Sequence, residues 1–216
     1  MTNTTTALPS LSQLPDTYLI ELTGFSAISL SGEEKSKYLQ GQVTCDVNKS
    51  TETNLQVGAH CDAKGKVLSV FRLINRLSAH LLLQPKASIP NSLRELQKFG
   101  VFAKVTIEEV QALSFIALVG EQASQLLQQE FSQIPDSLSP VIQVETTTLV
   151  YLAGETPRYI IIDDAPVITS LVSSLTLPIY SQMVWDLLEI SQGFPILSSN
   201  SSGQYIPQML NLQAIN

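Results

Sequence analysis

From Val67 to Ile74 the chain reads Val-Leu-Ser-Val-Phe-Arg-Leu-Ile, an apolar run with almost no polar alternation. A strand of that kind is covered on both faces. Two further strand candidates bracket it. Leu55 to Cys61 precedes it across an Asp62-Ala63-Lys64-Gly65 turn, and Ser78 to Gln84 pairs back across Asn75-Arg76. A doubly covered central strand obliges other elements of the chain to do the covering.

Those elements are legible on both sides. Tyr18 to Leu22 and Ala27 to Leu30 read as short strands with Thr23-Gly24 as the turn between them. Ser31 and Glu34 have the spacing of a capping box, which predicts a helix from about Gly32 to Gln40. Pro90 and Asn91 open a helix through Phe99, with Gly100 at its C′ position. Strands are expected at Lys104 to Glu109 and Leu113 to Val119. A helix from Glu121 to Phe131 places Ala123, Leu126, Leu127 and Phe131 on one face. After a Pro135 to Pro140 linker, three strands follow at Val141 to Glu145, Thr148 to Ala153 and Tyr159 to Ile162. Asp164 can cap a helix with the stripe Ile168, Leu171, Val172 and Leu175. A last helix, Gln182 to Ser191, turns Val184, Leu187 and Leu188 inward before Gly193-Phe194-Pro195 breaks it. The order is an α+β mixture with many antiparallel strands, not a regular βαβ alternation.

Charged residues make up only 14% of the chain and the net charge is −7, while 44% is hydrophobic. That supplies a sizeable core and argues against direct, tight nucleic-acid binding, which wants clustered Lys and Arg. Two cysteines without a C-x-x-C pair suit a reduced, cytoplasmic protein. No apolar run approaches the ~18 residues of a membrane helix. Residues 1–16, rich in Thr, Ser and Pro, read as a flexible tail without the features of a signal peptide.

The densest polar stretches in a structured context are Tyr38-Leu39-Gln40-Gly41-Gln42-Val43-Thr44-Cys45-Asp46-Val47 and His60-Cys61-Asp62-Ala63-Lys64-Gly65-Lys66. Such glycine-containing turns are where a mixed domain places ligand contacts. Metal binding is disfavoured, because adjacent His60 and Cys61 on a strand point to opposite faces and Cys45 has no paired spacing to Cys61. A Cys61–His60 nucleophile is a weak reading, since sequence adjacency does not make an ion pair. His80 reads as a half-buried strand residue. P-loop and dinucleotide motifs are absent. Lys64-Gly65-Lys66 is either a solvated hairpin tip or an anion contact. Trp185, the single tryptophan, and Phe25 each read either as core or as stacking faces for a flat heterocycle.

Together with Phe99-Gly100-Val101-Phe102-Ala103-Lys104-Val105, Gly193-Phe194-Pro195 and Gly203-Gln204-Tyr205-Ile206-Pro207-Gln208, the two polar blocks resemble the YgfZ family. These are folate-binding proteins related to the glycine-cleavage T-protein (aminomethyltransferase). They support assembly or repair of iron–sulfur enzymes and are also described as tRNA-modifying. The likeness runs from about Tyr18 to the end.

The resemblance implies a T-protein-like fold: a discontinuous folate-binding domain (17–48 and 140–216), an inserted α/β domain (49–139), and a C-terminal β-barrel that this chain lacks. It implies tetrahydrofolate in a central cavity, flanked by Phe25 and Trp185, with ligand-turn contacts from Gln42, Asp62, Lys64 and Gln208. The implied partners are the folate and iron–sulfur client proteins, with no membrane and no direct nucleic-acid contact. No catalytic residue and no metal ligand is expected.

Three departures qualify the likeness. T-protein relatives follow the glycine turn with paired aspartates, one of them catalytic, and here Val67-Leu68-Ser69-Val70 stands instead. An accessory role is therefore expected, with a folate-dependent aminomethyl transferase as the alternative and a ligand-free module docking on client enzymes as a third reading. The family's Glu two residues before the glycine of Gly-Phe-Pro is Ser191, with Glu189 displaced by two. The reactive-cysteine motif Lys-Gly-Cys-Tyr-x-Gly-Gln-Glu is expected after Leu212-Gln213-Ala214, and the sequence stops at Asn216. This suggests a shortened chain. Ile206 to Ile215, too apolar for a free end, is expected to pack on a strand or on a neighbouring copy.

Overall fold

The computed structural model describes residues 9–215. The expected N-terminal tail lies partly outside that range, and within it Leu11–Gln13 forms a 3-10 turn. In chain order the elements are β1 (Thr17–Glu21), β2 (Phe25–Ser31), α1 (Lys35–Gln40), β3 (Gln56–Cys61), β4 (Val67–Arg76), β5 (Ala79–Pro85), α2 (Ile89–Gly100), β6 (Thr106–Glu109), β7 (Leu113–Gly120) and α3 (Ala123–Glu130). They continue with β8 (Val141–Val144), β9 (Thr147–Leu152), β10 (Arg158–Asp164), α4 (Ala165–Leu175), β11 (Ile179–Tyr180) and α5 (Gln182–Ser191). The chain divides into two compact units, residues 1–23 with 112–194 and residues 24–111 with 195–216.

The first unit is a six-stranded sheet in the order β11-β1-β7-β10-β9-β8, antiparallel except where β1 meets β11. Leu19, Ile116, Leu118, Leu149, Tyr159 and Ile161 on one sheet face pack against Ala123 and Leu127 of α3 and Ile168, Leu171 and Leu175 of α4. The stripes expected on both helices are thus the ones that meet the sheet. Asp164 caps α4 as its position predicts, accepting from Val167 N at 3.1 Å. Replacing it with alanine should cost about 1 kcal/mol, read as a lowered urea midpoint.

The second unit is an antiparallel five-stranded sheet in the order β3-β4-β5-β2-β6. The face carrying Ile28, Leu30, Phe71, Leu73 and Leu82 is covered by Leu39 of α1 and by Ile89 and Leu96 of α2. Strand β4 is buried from Val70 to Ile74, as an apolar run without alternation requires.

Several expectations give way to tertiary pairing. β1 and β2 are not a hairpin: β1 pairs with β7 and β11, whereas β2 pairs with β5 and β6. The compact units follow the sheets, and β2 lies in the second unit because it shares its sheet with β4 and β5. The predicted Asn75-Arg76 turn is still strand, and the reversal falls at Leu77, whose φ is +53°. Helix α1 starts at Lys35, three residues late. Ser31 is spent as the last pair of β2, and Glu34 accepts from Lys104 N at 2.9 Å instead of closing a capping box. Gly100 is the last residue of α2 and not a left-handed cap. A Cβ there would come within 2.7 Å of Ile107 Cδ1, so glycine serves close packing of β6.

Candidate ligand site

In the second unit the two polar blocks are neighbours. The segment after α1 runs along the edge of β3: Val43 bridges His60, Thr44 N donates to Ala59 O at 3.0 Å, and Ala59 N donates to Thr44 Oγ1 at 2.9 Å. Cys45 lies against Gly58, where a Cβ would sit 2.8 Å from its sulfur. Gln42 is half-buried at this junction and its N–H closes the last turn of α1 on Leu39 O. The β3–β4 turn is an Asx turn, in which Asp62 Oδ1 accepts from Lys64 N and Lys66 N at 2.9 and 2.8 Å. Lys64 is exposed at its tip.

Residues 202–205 hook onto the start of β4. Gly203 N donates to Val67 O, Val67 N to Tyr205 O, Ser202 Oγ to Leu68 O, and Lys66 Nζ to Gln204 O. Beyond this hook Leu212 is buried, while Met209 and Gln208 stay exposed. The packing on a strand expected for the C-terminal stretch is thus carried chiefly by the residues just before Ile206.

Beneath the turn lies a buried polar cluster that sequence reasoning missed. His60 Nδ1 is 2.8 Å from Ser92 Oγ, and Ser69 Oγ donates to Ser92 Oγ at 3.3 Å. His60 is 1% exposed and its Nε2 has no hydrogen-bond partner in the structure. Burial lowers its pKa to about 4, so the ring is neutral at pH 7. Burial raises the Cys45 thiol to about 11 and also raises Cys61. Neither sulfur is a thiolate at neutral pH, which removes the activated nucleophile a Cys–His reading needs. Among the described residues no group of three or more His, Cys, Asp or Glu is placed to hold a metal ion.

The first unit places Trp185 in α5 with 1% exposure and the Arg158 guanidinium 5.0 Å above its ring. Arg158 is itself 2% exposed. Its Nη1 donates to Glu189 Oε1 at 2.7 Å and its Nη2 to Gln192 Oε1. Glu189 therefore has a structural partner. Ser191, which holds the place where the family's Glu is expected, donates its hydroxyl to Leu188 O at 2.8 Å. Phe25, the first residue of β2 in the second unit, is 3% exposed. Arg158 was detectable in principle: it is the only Lys or Arg after Lys104. A lone cation in an otherwise isoleucine-rich strand must find a carboxylate.

The last turn of α5 also walls a cleft of about 630 Å³, with Leu188, Ser191 and Gln192 on one side. Tyr18, Glu121, the 154–156 turn between β9 and β10, and Leu11, Leu14, Pro15 and Asp16 complete its lining. Gly120 holds that N-terminal stretch close. Its φ is +127° and a Cβ there would strike Asp16 O.

No family model matches the chain. It is 73% identical over its full length to the tRNA-modifying protein YgfZ of Colwellia psychrerythraea, covering 67% of that protein. The chain belongs to the YgfZ family. The YgfZ proteins of Yersinia enterocolitica and Yersinia pestis are each 36% identical, over 95% and 92% of the chain and 62% and 61% of their own lengths. The chain thus spans about two thirds of the length of these YgfZ relatives. Among solved structures it is similar to the glycine cleavage system aminomethyltransferase T from Bartonella henselae, with a TM-score of 0.63 and 13% identity over 76% of this chain and 48% of that one. A heterotetrameric sarcosine oxidase from Corynebacterium matches at a TM-score of 0.51 and 17% identity, over 73% and 80%. The fold of this YgfZ member is T-protein-like, as the sequence resemblance implied. No helix among the described residues is long and apolar enough to cross a membrane.

Proposed function

We propose that this chain is the folate-binding part of an accessory protein that supports iron–sulfur cluster assembly or repair, and through it tRNA modification. The observation that carries the reading is the combination of YgfZ-family membership with a T-protein-like fold. Tetrahydrofolate is the ligand, with Phe25 and Trp185 as its aromatic neighbours and Gln42, Asp62, Lys64 and Gln208 as turn contacts. Iron–sulfur enzymes of the cytoplasm are the clients.

An accessory role fits better than aminomethyl transfer. Where a transferase would need a carboxylate to assist chemistry at a folate nitrogen, this chain offers Leu68 and Ser69, and Ser69 is fully buried against Ser92. With both thiols protonated at neutral pH, neither cysteine supplies a thiolate in its place. The net charge of −7 supports an indirect link to tRNA.

Titration with tetrahydrofolate tests the reading. Trp185 fluorescence should change saturably, and Trp185→Phe should abolish the signal while calorimetry still registers binding. An unchanged emission together with no calorimetric heat at concentrations well above micromolar would sink the proposal.

A further inference from the structure

Charge is divided unevenly along this chain. The unit formed by residues 1–23 and 112–194 holds eleven acidic residues and one basic residue, Arg158, a net of −10. The other unit holds eight acidic and eleven basic residues, a net of +3. Since Arg158 is buried and paired with Glu189, the first unit presents no basic side chain to solvent.

The cleft at the end of α5 concentrates that asymmetry in a concave, partly apolar space. Its volume, about 630 Å³, lies within the range of small-molecule sites. Leu14, Tyr18 and Leu188 supply apolar surface. Asp16, Glu121 and Glu155 are exposed at its lining, and no Lys, Arg or His is among the lining residues. The remaining polar side chains are the hydroxyls of Tyr18, Thr156 and Ser191 and the amide of Gln192, whose oxygen is taken by Arg158. The Ser191 hydroxyl has committed its proton to Leu188 O, which leaves its lone pairs to the cleft. Three carboxylates on low-dielectric walls focus a negative potential in the opening. The complementary ligand is a cation on an apolar stem. An anionic folate tail is the reverse of what this lining accepts.

We propose that this cleft binds an aliphatic ammonium group, carried either by a free polyamine or by a lysine side chain of a partner. The carboxylates hold the ammonium, and the methylene stem lies over Leu14, Tyr18 and Leu188. The site is separate from the folate contacts proposed above and does not rest on them.

Calorimetry of the full chain at low, fixed salt tests it with two probes, spermidine for the free source and N-acetyl-lysine methylamide for the side chain. At least one should bind saturably. The triple variant Asp16→Asn, Glu121→Gln, Glu155→Gln should weaken that binding about tenfold, since each exposed charge contributes modestly. A control of equal charge change elsewhere in the unit, Glu21→Gln, Glu130→Gln, Glu145→Gln, should leave it within about twofold. Equal loss in both triples would reduce the effect to general counterion attraction and overturn the proposal. So would the absence of binding by both probes. Tetrahydrofolate affinity should be unchanged in the cleft triple, so failure of the folate reading and failure of this one are told apart.

Discussion

Arg158→Met should destabilise the protein by about 3–5 kcal/mol, the cost of leaving a buried carboxylate without its partner. Arg158 and Glu189 are each 2% exposed and joined at 2.7 Å, so little water reaches either. The guanidinium also holds Gln192 and lies over Trp185. Removing it therefore loosens the last turn of α5 as well as the ion pair. Replacing both ionic partners, as Arg158→Met with Glu189→Leu, should recover most of the loss, because an apolar pair of similar volume carries no desolvation penalty. Urea unfolding followed by Trp185 emission reads both variants. A single variant within about 1 kcal/mol of the natural chain would show that the pair contributes little, and a double variant no better than the single would show that the cost is packing and not charge.

That pair also marks where sequence reasoning reaches its limit. Local signals worked where one element decides the outcome. The stripes of α3 and α4, the Asp164 cap and the buried run of β4 all follow from periodicity and side-chain chemistry inside single segments. Signals failed where the partner is distant. β1 and β2 are separated by only a few residues and read as a hairpin, but each has its hydrogen-bonding partners elsewhere: Leu19 opposite Leu118, Ile28 opposite Leu82. Arg158 finds Glu189 across 31 positions, and His60 finds Ser92 across 32. None of these pairings has a spacing rule.

The candidate site divides in the same way. Asp62 and Lys64 were legible as a turn because an Asx turn is made within four residues. The adjacency of Gln40–Val47 to β3 was not, since it depends on an edge pairing between Val43 and His60. The cleft was invisible in the sequence. Its three carboxylates come from the stretch before β1, the end of β7 and the β9–β10 turn, and only the sheet brings those chain positions to one place.

The second large effect expected is acid loosening of the unit that contains β3, β4 and β5. Burial lowers His60 and His80 to about 4, against 6.5 in an unfolded chain, with Lys35 adding to the effect at His80. Glu95 and Asp62 oppose it at His60 but do not overcome the loss of water. Between pH 6.5 and 4 the unfolded chain binds more protons than the folded one. Stability held in full above pH 6.5 therefore drains as pH falls toward 4, by roughly 3 kcal/mol per histidine. The two sites differ in what a second ring proton meets. His80 is flanked by Ser36 Oγ at Nε2 and Asn75 Oδ1 at Nδ1, so the Ser36 hydroxyl can rotate to accept from the charged ring. His60 Nε2 has no acceptor in the structure, and a proton there would be a buried, unsatisfied donor. The chain has only two histidines, so their ring resonances can be followed separately by NMR. Neither should titrate between pH 7.5 and 5.5, and amide exchange in peptides from β3 to β5 should accelerate steeply below pH 6. Ring resonances with midpoints near 6.5 would show that both side chains are solvated and that the buried cluster does not govern the acid response.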